Sequence, residues 1–283
     1  MVEHVPIPNY KIIEIKMTKA TLNLANVRGI LSDIDGTLVF KNKPISGAID
    51  AVNELRKRNI KLIFFTNTDS KTPITIYKKL VDLGFSIKLE EIFTPIIALK
   101  EYLFHQPEVK IHLVTTEEVA REFDDFCKVD VSEIPDIVIL GDFRDNWDVH
   151  RLNLAFKFVL KGAKLFGTQG NKYFLDSKGE PVIDTGSFVN MVASAASQSA
   201  LIFGKPSREY FQQALNRLGV GKDESIVIGD DLYSDIHGAN EFGIRSILVK
   251  TGKGQYYKSS ETNIEPYSVI ESFSSLLEFM NSR

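Results

Sequence analysis

Asp33 and Asp35 stand two apart where an apolar run ends, and Gly36-Thr37 follows them directly. Carboxylates this close repel one another unless a cation or a shared proton intervenes. With a divalent cation masking that charge, one carboxylate can attack phosphorus. Its neighbour can protonate the leaving oxygen and then take a proton from water. Mg²⁺ suits such a site, because it takes oxygen ligands, one or two of them carboxylates, and leaves the remaining positions to water and phosphate. Gly36 allows the backbone to turn just there.

Two more polar loops follow apolar runs. Thr66-Asn67-Thr68 comes after Phe65, and Gly229-Asp230-Asp231, with Asp235 beyond it, comes after Ile226-Val227-Ile228. Taken singly, Asp-Gly is a turn signal, and the acidic residues 230–235 could be a solvated helix start. The full D-x-D-G-T directly after an apolar strand carries more. Ligands of open α/β sheets bind beyond the carboxyl ends of the strands, so three such loops together read as one site.

The elements that would position them alternate. Apolar, β-branched strands are expected at 27–31, 60–65, 111–114, 137–140, 201–203, 226–228 and 246–249. Amphipathic helices are expected near 46–58, 72–84, 117–127, 148–161, 206–218, 233–242 and 268–280. Residues 173–175 and 181–183 flank a turn sequence, Ser177-Lys178-Gly179, and read as a hairpin. This alternation argues an α/β fold with parallel sheets. There is no Pro- or Ser-rich linker, so the middle of the chain reads as a domain inserted through short hinges.

The 283 residues allow about two domains. Thirty-four Lys and Arg against 37 Asp and Glu give a net charge of -3, too even for a nucleic-acid or anionic-membrane partner. No apolar run reaches the ~18 residues that span a bilayer. Residues 1–24 read as a leader without a signal-peptide core, with Met17 an alternative start, and the chain is expected to be cytoplasmic. The single cysteine, Cys127, excludes an internal disulfide framework and reads as a small buried hydrophobe beside Phe123 and Phe126 on a helix face.

These motifs resemble the haloacid dehalogenase-like hydrolase superfamily. Its four signatures stand in order as Asp33-x-Asp35-Gly36-Thr37, Thr66-Asn67, Lys205 in Gly204-Lys205-Pro206-Ser207, and Gly229-Asp230-Asp231 with Asp235. About 138 residues separate Asn67 from Lys205, room for a small cap domain between the second and third signatures. That is the mark of the subfamily similar to N-acetylglucosamine-phosphate and nitrophenyl-phosphate phosphatases, with the phospholysine/phosphohistidine inorganic pyrophosphate phosphatase branch nearest in look. The resemblance implies a Rossmann-like parallel-sheet core over 25–94 and 198–283, and an inserted smaller α/β cap over 95–197.

It also implies roles. Asp33 would be nucleophile and Mg²⁺ ligand. Asp35 would be general acid/base and give its backbone carbonyl to the metal, and Asp230 would ligate the metal. Asp231 and Asp235 would hold metal waters or Lys205. Gly36, Thr66, Asn67 and Lys205 would meet the phosphoryl group of a small phosphorylated substrate. Arg144, Asn171, Lys172 and Asp176 are polar candidates on the cap, which is also the expected face of a homodimer. Thr68 stands where the family usually has a second Asn, and Thr168-Gln169-Gly170-Asn171 replaces its Thr-Asn-x-Asp.

Other readings fit less well. A dinucleotide site needs G-x-G-x-x-G between strand and helix, whereas Gly219-Val220-Gly221 follows a helix. Gly204-Lys205 lacks the upstream glycine of a P-loop. Halide displacement has no need of the acid at Asp35. A non-catalytic binding protein on the same scaffold would show an eroded acid or nucleophile. A phosphotransferase or phosphomutase stays an alternative, since an aspartyl-phosphate can pass to a sugar instead of water, although the cap of a phosphomutase normally sits between the first two signatures, where there is no room.

Overall fold

The computed structural model describes residues 26–281 apart from 107, 130, 177 and 179, so the leader expected over 1–24 and Met17 lie outside the described residues. The first half of the chain supplies β1 (Gly29–Ser32), β2 (Val39–Phe40), β3 (Lys43–Pro44), β4 (Lys61–Phe65), β5 (Ile92–Phe93), β6 (Lys110–Val114), β7 (Cys127–Lys128) and β8 (Ile137–Leu140). The second half adds β9 (Lys164–Gly167), β10 (Tyr173–Leu175), β11 (Pro181–Ile183), β12 (Ala200–Ile202), β13 (Ser225–Gly229), β14 (Arg245–Val249) and β15 (Ser268–Ile270). Between them run α1 (Ala48–Lys57), α2 (Pro73–Asp82), α3 (Pro95–Phe104), α4 (Glu117–Ala120), α5 (Val149–Leu160), α6 (Thr185–Ala196), α7 (Arg208–Leu218), α8 (Gly238–Phe242) and α9 (Leu276–Asn281).

Among the described residues, two parallel sheets carry the fold. The six-stranded sheet has the order β15-β14-β13-β1-β4-β5, and the five-stranded sheet has β12-β9-β8-β6-β7. In the first sheet the chain moves outward from β1 through β4 to β5, then returns on the other side of β1 as β13. The order therefore reverses at β1, the place where an open α/β sheet forms a crevice at its carboxyl edge.

Strands buried on both faces need apolar residues of both parities. Ile30, Leu62, Phe64, Ile226 and Ile228 pack with Ala51, Val52 and Leu55 of α1. The alternate residues Leu31, Ile63, Phe65 and Val227 pack with α3, α7 and α8. That second cluster also takes in Ile111, Ile137, Ile139 and Phe166, so one face of each sheet shares a continuous apolar layer. The outer face of the second sheet, with Val114, Val138, Leu140 and Leu165, is covered by α5 and α6.

Five expectations change. The return to the first sheet was expected at 198, but Ala200–Ile202 pairs with β9 as the edge of the second sheet, and the chain crosses back only afterwards. Its side chains are half-buried or exposed, as an edge allows, so an apolar run alone does not place a strand in one sheet or the other. The helix expected over 117–127 is a single turn followed by a 3₁₀ turn, because the chain must extend to pair with β6. Cys127 therefore lies exposed in β7 and is not a buried helix residue. Residues 268–270, expected to begin a helix, form the edge strand β15, where Val269 and Ile270 suit extension, and only Leu276–Asn281 is helical. Helix 233–242 opens as a wide π-type turn over Leu232–His237.

Candidate active site

The carboxyl ends of β1, β4 and β13 meet at the reversal point. Asp33 leaves β1 with its N–H donated to the Ile228 carbonyl, 2.9 Å away, which fixes it beside β13. Lys205, only 2% accessible, reaches in from the chain after β12 and donates to Asp33 Oδ1 and Asp235 Oδ1, both at 2.6 Å. Its third donor direction faces the Phe65 carbonyl at 3.4 Å. Asp33, Asp230 and Asp235 offer carboxylate oxygens that lie within 4.8 Å of one another.

Asp230 sits in a cradle that side chains would fill. A Cβ on Gly36 would come 2.2 Å from its Oδ2, and one on Gly252 would come 2.1 Å from the same atom. Both glycines have positive φ, 91° and 51°, which also disfavours any side chain there. The Lys253 N–H donates to Asp230 Oδ2 at 2.7 Å.

Burial dominates the electrostatics. It pushes the Asp33 carboxyl up to about 7, against the opposing pull of Lys205 and with a further push from Asp235. Asp230 stands well above the usual carboxylate range through burial, then through the charges of Asp33 and Asp235. Burial raises Asp235 as well, with Lys205 opposing. Burial also disfavours the Lys205 charge, but Asp235 and Asp33 more than reverse this and hold its ammonium above the normal range. One ammonium does not neutralise three buried carboxyls. The all-oxygen donor set, the excess negative charge and the side-chain-free cradle fit a hard divalent cation such as Mg²⁺.

The other expected residues divide. Asp235 holds Lys205, whereas Asp231 does not reach it. Asp231 Oδ1 accepts from the N–H groups of Tyr233 and Ser234 at 2.9 and 3.0 Å, and its Oδ2 pairs with the Lys253 ammonium. Lys253, with Asp231 its main partner, rises above its usual range, while Asp231 is held below the carboxylate range by that ammonium against the cost of burial. The Asp35 side chain stands outside the trio, 55% accessible, with Thr68 Oγ1 donating to its Oδ2 at 3.2 Å and Lys79 Nζ 3.4 Å from its Oδ1. The Thr66 hydroxyl donates to Thr68 Oγ1 and accepts the Thr68 N–H. The Asn67 side chain is committed to the Lys205 backbone, accepting its N–H at 2.7 Å and donating to its carbonyl at 2.9 Å. It therefore sets the position of Lys205, and its own backbone N–H is the group left for a ligand.

Thr68 was noted only as a departure from the family pattern, and Lys79 and Lys253 escaped the sequence reading. Lys253 lies just past β14, at the same sheet edge as the three loops, and that placement was the available signal. Nothing local marks Lys79, which reaches Asp35 from the last turn of α2.

Over this floor lies a cavity of about 370 Å³. Its far side is lined by Asp69, Arg144, Gln169, Asn171, Phe174 and Asp184, and Phe40 to Asn42 at the β2–β3 turn stand at its rim. Asn171 Oδ1 accepts from Asn67 at 3.2 Å, a direct tie between the two units. Lys172 does not line the cavity, whereas Asp176 does. Burial raises the Asp69 carboxyl to about 7, with Asp184 adding to the push and the hydroxyl of Thr168 opposing it.

A parallel α/β sheet with acidic loops at its reversal point, roofed by an inserted second sheet, defines a hydrolase of a recognisable class. The haloacid dehalogenase-like hydrolase family matches residues 30–126, and a HAD-hydrolase-like family matches 202–276. The haloacid dehalogenase-like hydrolase domain-containing protein 2 of Bos taurus is 32% identical over 247 residues, 87% of this chain and 93% of its own length. The phospholysine phosphohistidine inorganic pyrophosphate phosphatase of Mus musculus is 33% identical over 236 residues, 81% of this chain and 85% of its own. Among solved structures, a 4-nitrophenylphosphatase from Thermotoga maritima is similar with a TM-score of 0.82 at 25% identity, covering 90% of this chain and 98% of that one. The chain belongs to the haloacid dehalogenase-like hydrolase family. No helix among the described residues is long and apolar enough to cross a membrane.

Proposed function

We propose that the protein is an Mg²⁺-dependent phosphatase that hydrolyses a phosphomonoester or phosphoanhydride of a small metabolite through an aspartyl-phosphate at Asp33. The observation that carries this reading is the convergence of Asp33, Lys205 and Asp230 on the floor of one cavity, with Asp235 buried behind them and holding Lys205. The names of its relatives, nitrophenylphosphatase and phospholysine phosphohistidine inorganic pyrophosphate phosphatase, support the reaction class.

In this reading Asp33, Asp230 and the Asp35 carbonyl would hold the metal, which would mask carboxylate charge and polarise the phosphoryl oxygens. The Asp33 carboxylate forms a bond to phosphorus as the bond to the leaving oxygen breaks, and Asp35 gives that oxygen its proton. Asp35 then takes a proton from water, whose oxygen attacks phosphorus and releases Asp33 and inorganic phosphate. The Thr66 hydroxyl and the Asn67 backbone N–H orient the phosphoryl oxygens, while Lys205 offsets charge on Asp33 and on the group in transfer. The second sheet with its helices acts as a cap that excludes bulk water.

The test is release of nitrophenolate from p-nitrophenyl phosphate. Wild type should turn over with Mg²⁺ and stop with EDTA, and Asp33→Asn should lose at least ~10³-fold. Equal release by wild type and Asp33→Asn would overturn the reading. A cytoplasmic homodimer joined through the cap belongs to the same proposal, and a monomer mass by light scattering would remove the dimer from it.

A further inference from the structure

We propose that Asp69 is a specificity-determining residue that selects leaving groups bearing hydrogen-bond donors or positive charge and turns away those with a second anionic group. This rests on the phosphatase reading and names the substrate class for the same cavity.

Asp69 belongs to the loop after β4, yet its side chain crosses to the second unit. It is 3% accessible and lines the cavity, so its remaining surface opens there. Three donors reach it, and all three go to Oδ2: the Asp142 N–H at 3.1 Å, the Thr185 hydroxyl at 2.9 Å and the Thr168 hydroxyl. None of them goes to Oδ1. The carboxyl is thus locked in orientation by one oxygen and, once ionised above about pH 7, presents the other as an acceptor to whatever is attached to the phosphoryl group. A ligand hydroxyl or ammonium would give Oδ1 a donor in place of cavity solvent, whereas a carboxylate or second phosphate would cover it without one.

The surroundings point the same way. Asp142 and Asp184 are 4% and 5% accessible, and Arg144 is the guanidinium beside them. Its Nε and Nη2 are taken up by the Asp142 carboxylate, and Nη2 lies 3.6 Å from Asp184. Arg144 Nη1 lacks a partner, but that atom is fully buried, with the Phe174 ring 4.2 Å from the guanidinium carbon. With Arg144 taken up by Asp142, which does not line the cavity, Asp69 and Asp184 are the two carboxyls left at this end. The lysines that line the cavity lie elsewhere: Lys205 and Lys253 at the floor, paired with Asp33 and Asp231, and Lys41 at the β2–β3 turn. The floor takes the charge of the phosphoryl group itself. A further anion on the leaving group would be set among carboxyls.

The experiment compares kcat/KM for O-phosphoethanolamine, glycerol 2-phosphate, phosphoglycolate and pyrophosphate, in wild type and Asp69→Asn. The amide keeps the side chain's shape and can accept at its oxygen from the two hydroxyls, while turning an N–H₂ donor toward the cavity. Wild type should favour the ethanolamine and glycerol esters over phosphoglycolate and pyrophosphate by at least ~10-fold. In Asp69→Asn that ratio should fall by ~10-fold or reverse, chiefly through KM. A wild-type preference for the anionic substrates overturns the proposal without any variant, and so does a variant that lowers all four alike, as a merely structural role would. Failure of the phosphatase reading looks different: wild type would release nothing from p-nitrophenyl phosphate with Mg²⁺.

Discussion

Replacing Lys205 with Met removes the one ammonium that joins Asp33 to Asp235 and keeps the volume of its aliphatic stem. Both ion pairs are 2.6 Å long, with the lysine side chain 2% accessible and the carboxylates 9% and 0%. Deleting one partner of a buried pair costs about 3–5 kcal/mol, and here two carboxylates are orphaned at once, so about 5 kcal/mol is expected at alkaline pH. Native stabilities run from about 5 to 15 kcal/mol, which leaves the variant folded but weakened. The orphaned carboxyls can escape by binding protons that the wild type releases. A folded state that holds extra protons loses stability as pH rises, at up to 1.36 kcal/mol per proton per pH unit. Asp33 keeps its proton up to about pH 7 even beside Lys205, so the destabilisation should be about 1–2 kcal/mol larger at pH 8 than at pH 5.5. Urea unfolding in EDTA at the two pH values measures it. A variant as stable as wild type at pH 8, or a deficit that does not change with pH, would show that these contacts are not what holds the acidic floor together.

Three further outcomes follow from the same geometry. Gly252→Ala forces a Cβ to within 2.1 Å of Asp230 Oδ2 at a positive φ, and Mg²⁺ affinity by calorimetry should fall at least ~10-fold. Asn67→Ala frees the Lys205 backbone on both sides, and kcat for p-nitrophenyl phosphate should drop ~10–100-fold while the far-ultraviolet circular dichroism stays unchanged. The Asp69 carboxyl, raised by burial to about 7 from an ordinary 3.8, contributes stability that is complete below about pH 4 and lost as pH rises through about 7. Urea midpoints of Asp69→Asn should accordingly vary less with pH across that window than those of wild type.

The sequence made the floor of the site readable because each signature follows a strand whose apolar run is unmistakable, as with Asp33 after Ile30-Leu31 and Asp230 after Ile226-Val227-Ile228. Periodicity also fixed most of the long helices. It could not place Ala200–Ile202, since an apolar run reads the same in either sheet, nor β15, where Val269 and Ile270 suit strand and helix face alike. The far side of the cavity was less readable still. Asp69 and Lys79 acquire their parts through partners about a hundred residues away, or across a helix, and no local pattern records such a meeting. Asn67 was found but its side chain was assigned to the ligand, when its amide is spent on Lys205.

The apolar layer shared by the two sheets limits how this enzyme can breathe. Swinging the upper sheet away as a rigid flap would strip Phe65, Phe93, Phe166 and Phe203 of their common packing and wet them all at once. At about 25 cal/mol per Å² of apolar surface, so wide a gape is too costly to recur on every turnover. The two thin ribbons β2–β3, with Phe40, and β10–β11, with Phe174, also line the cavity but contribute no residue to that layer, so a passage opened beside them would leave it intact.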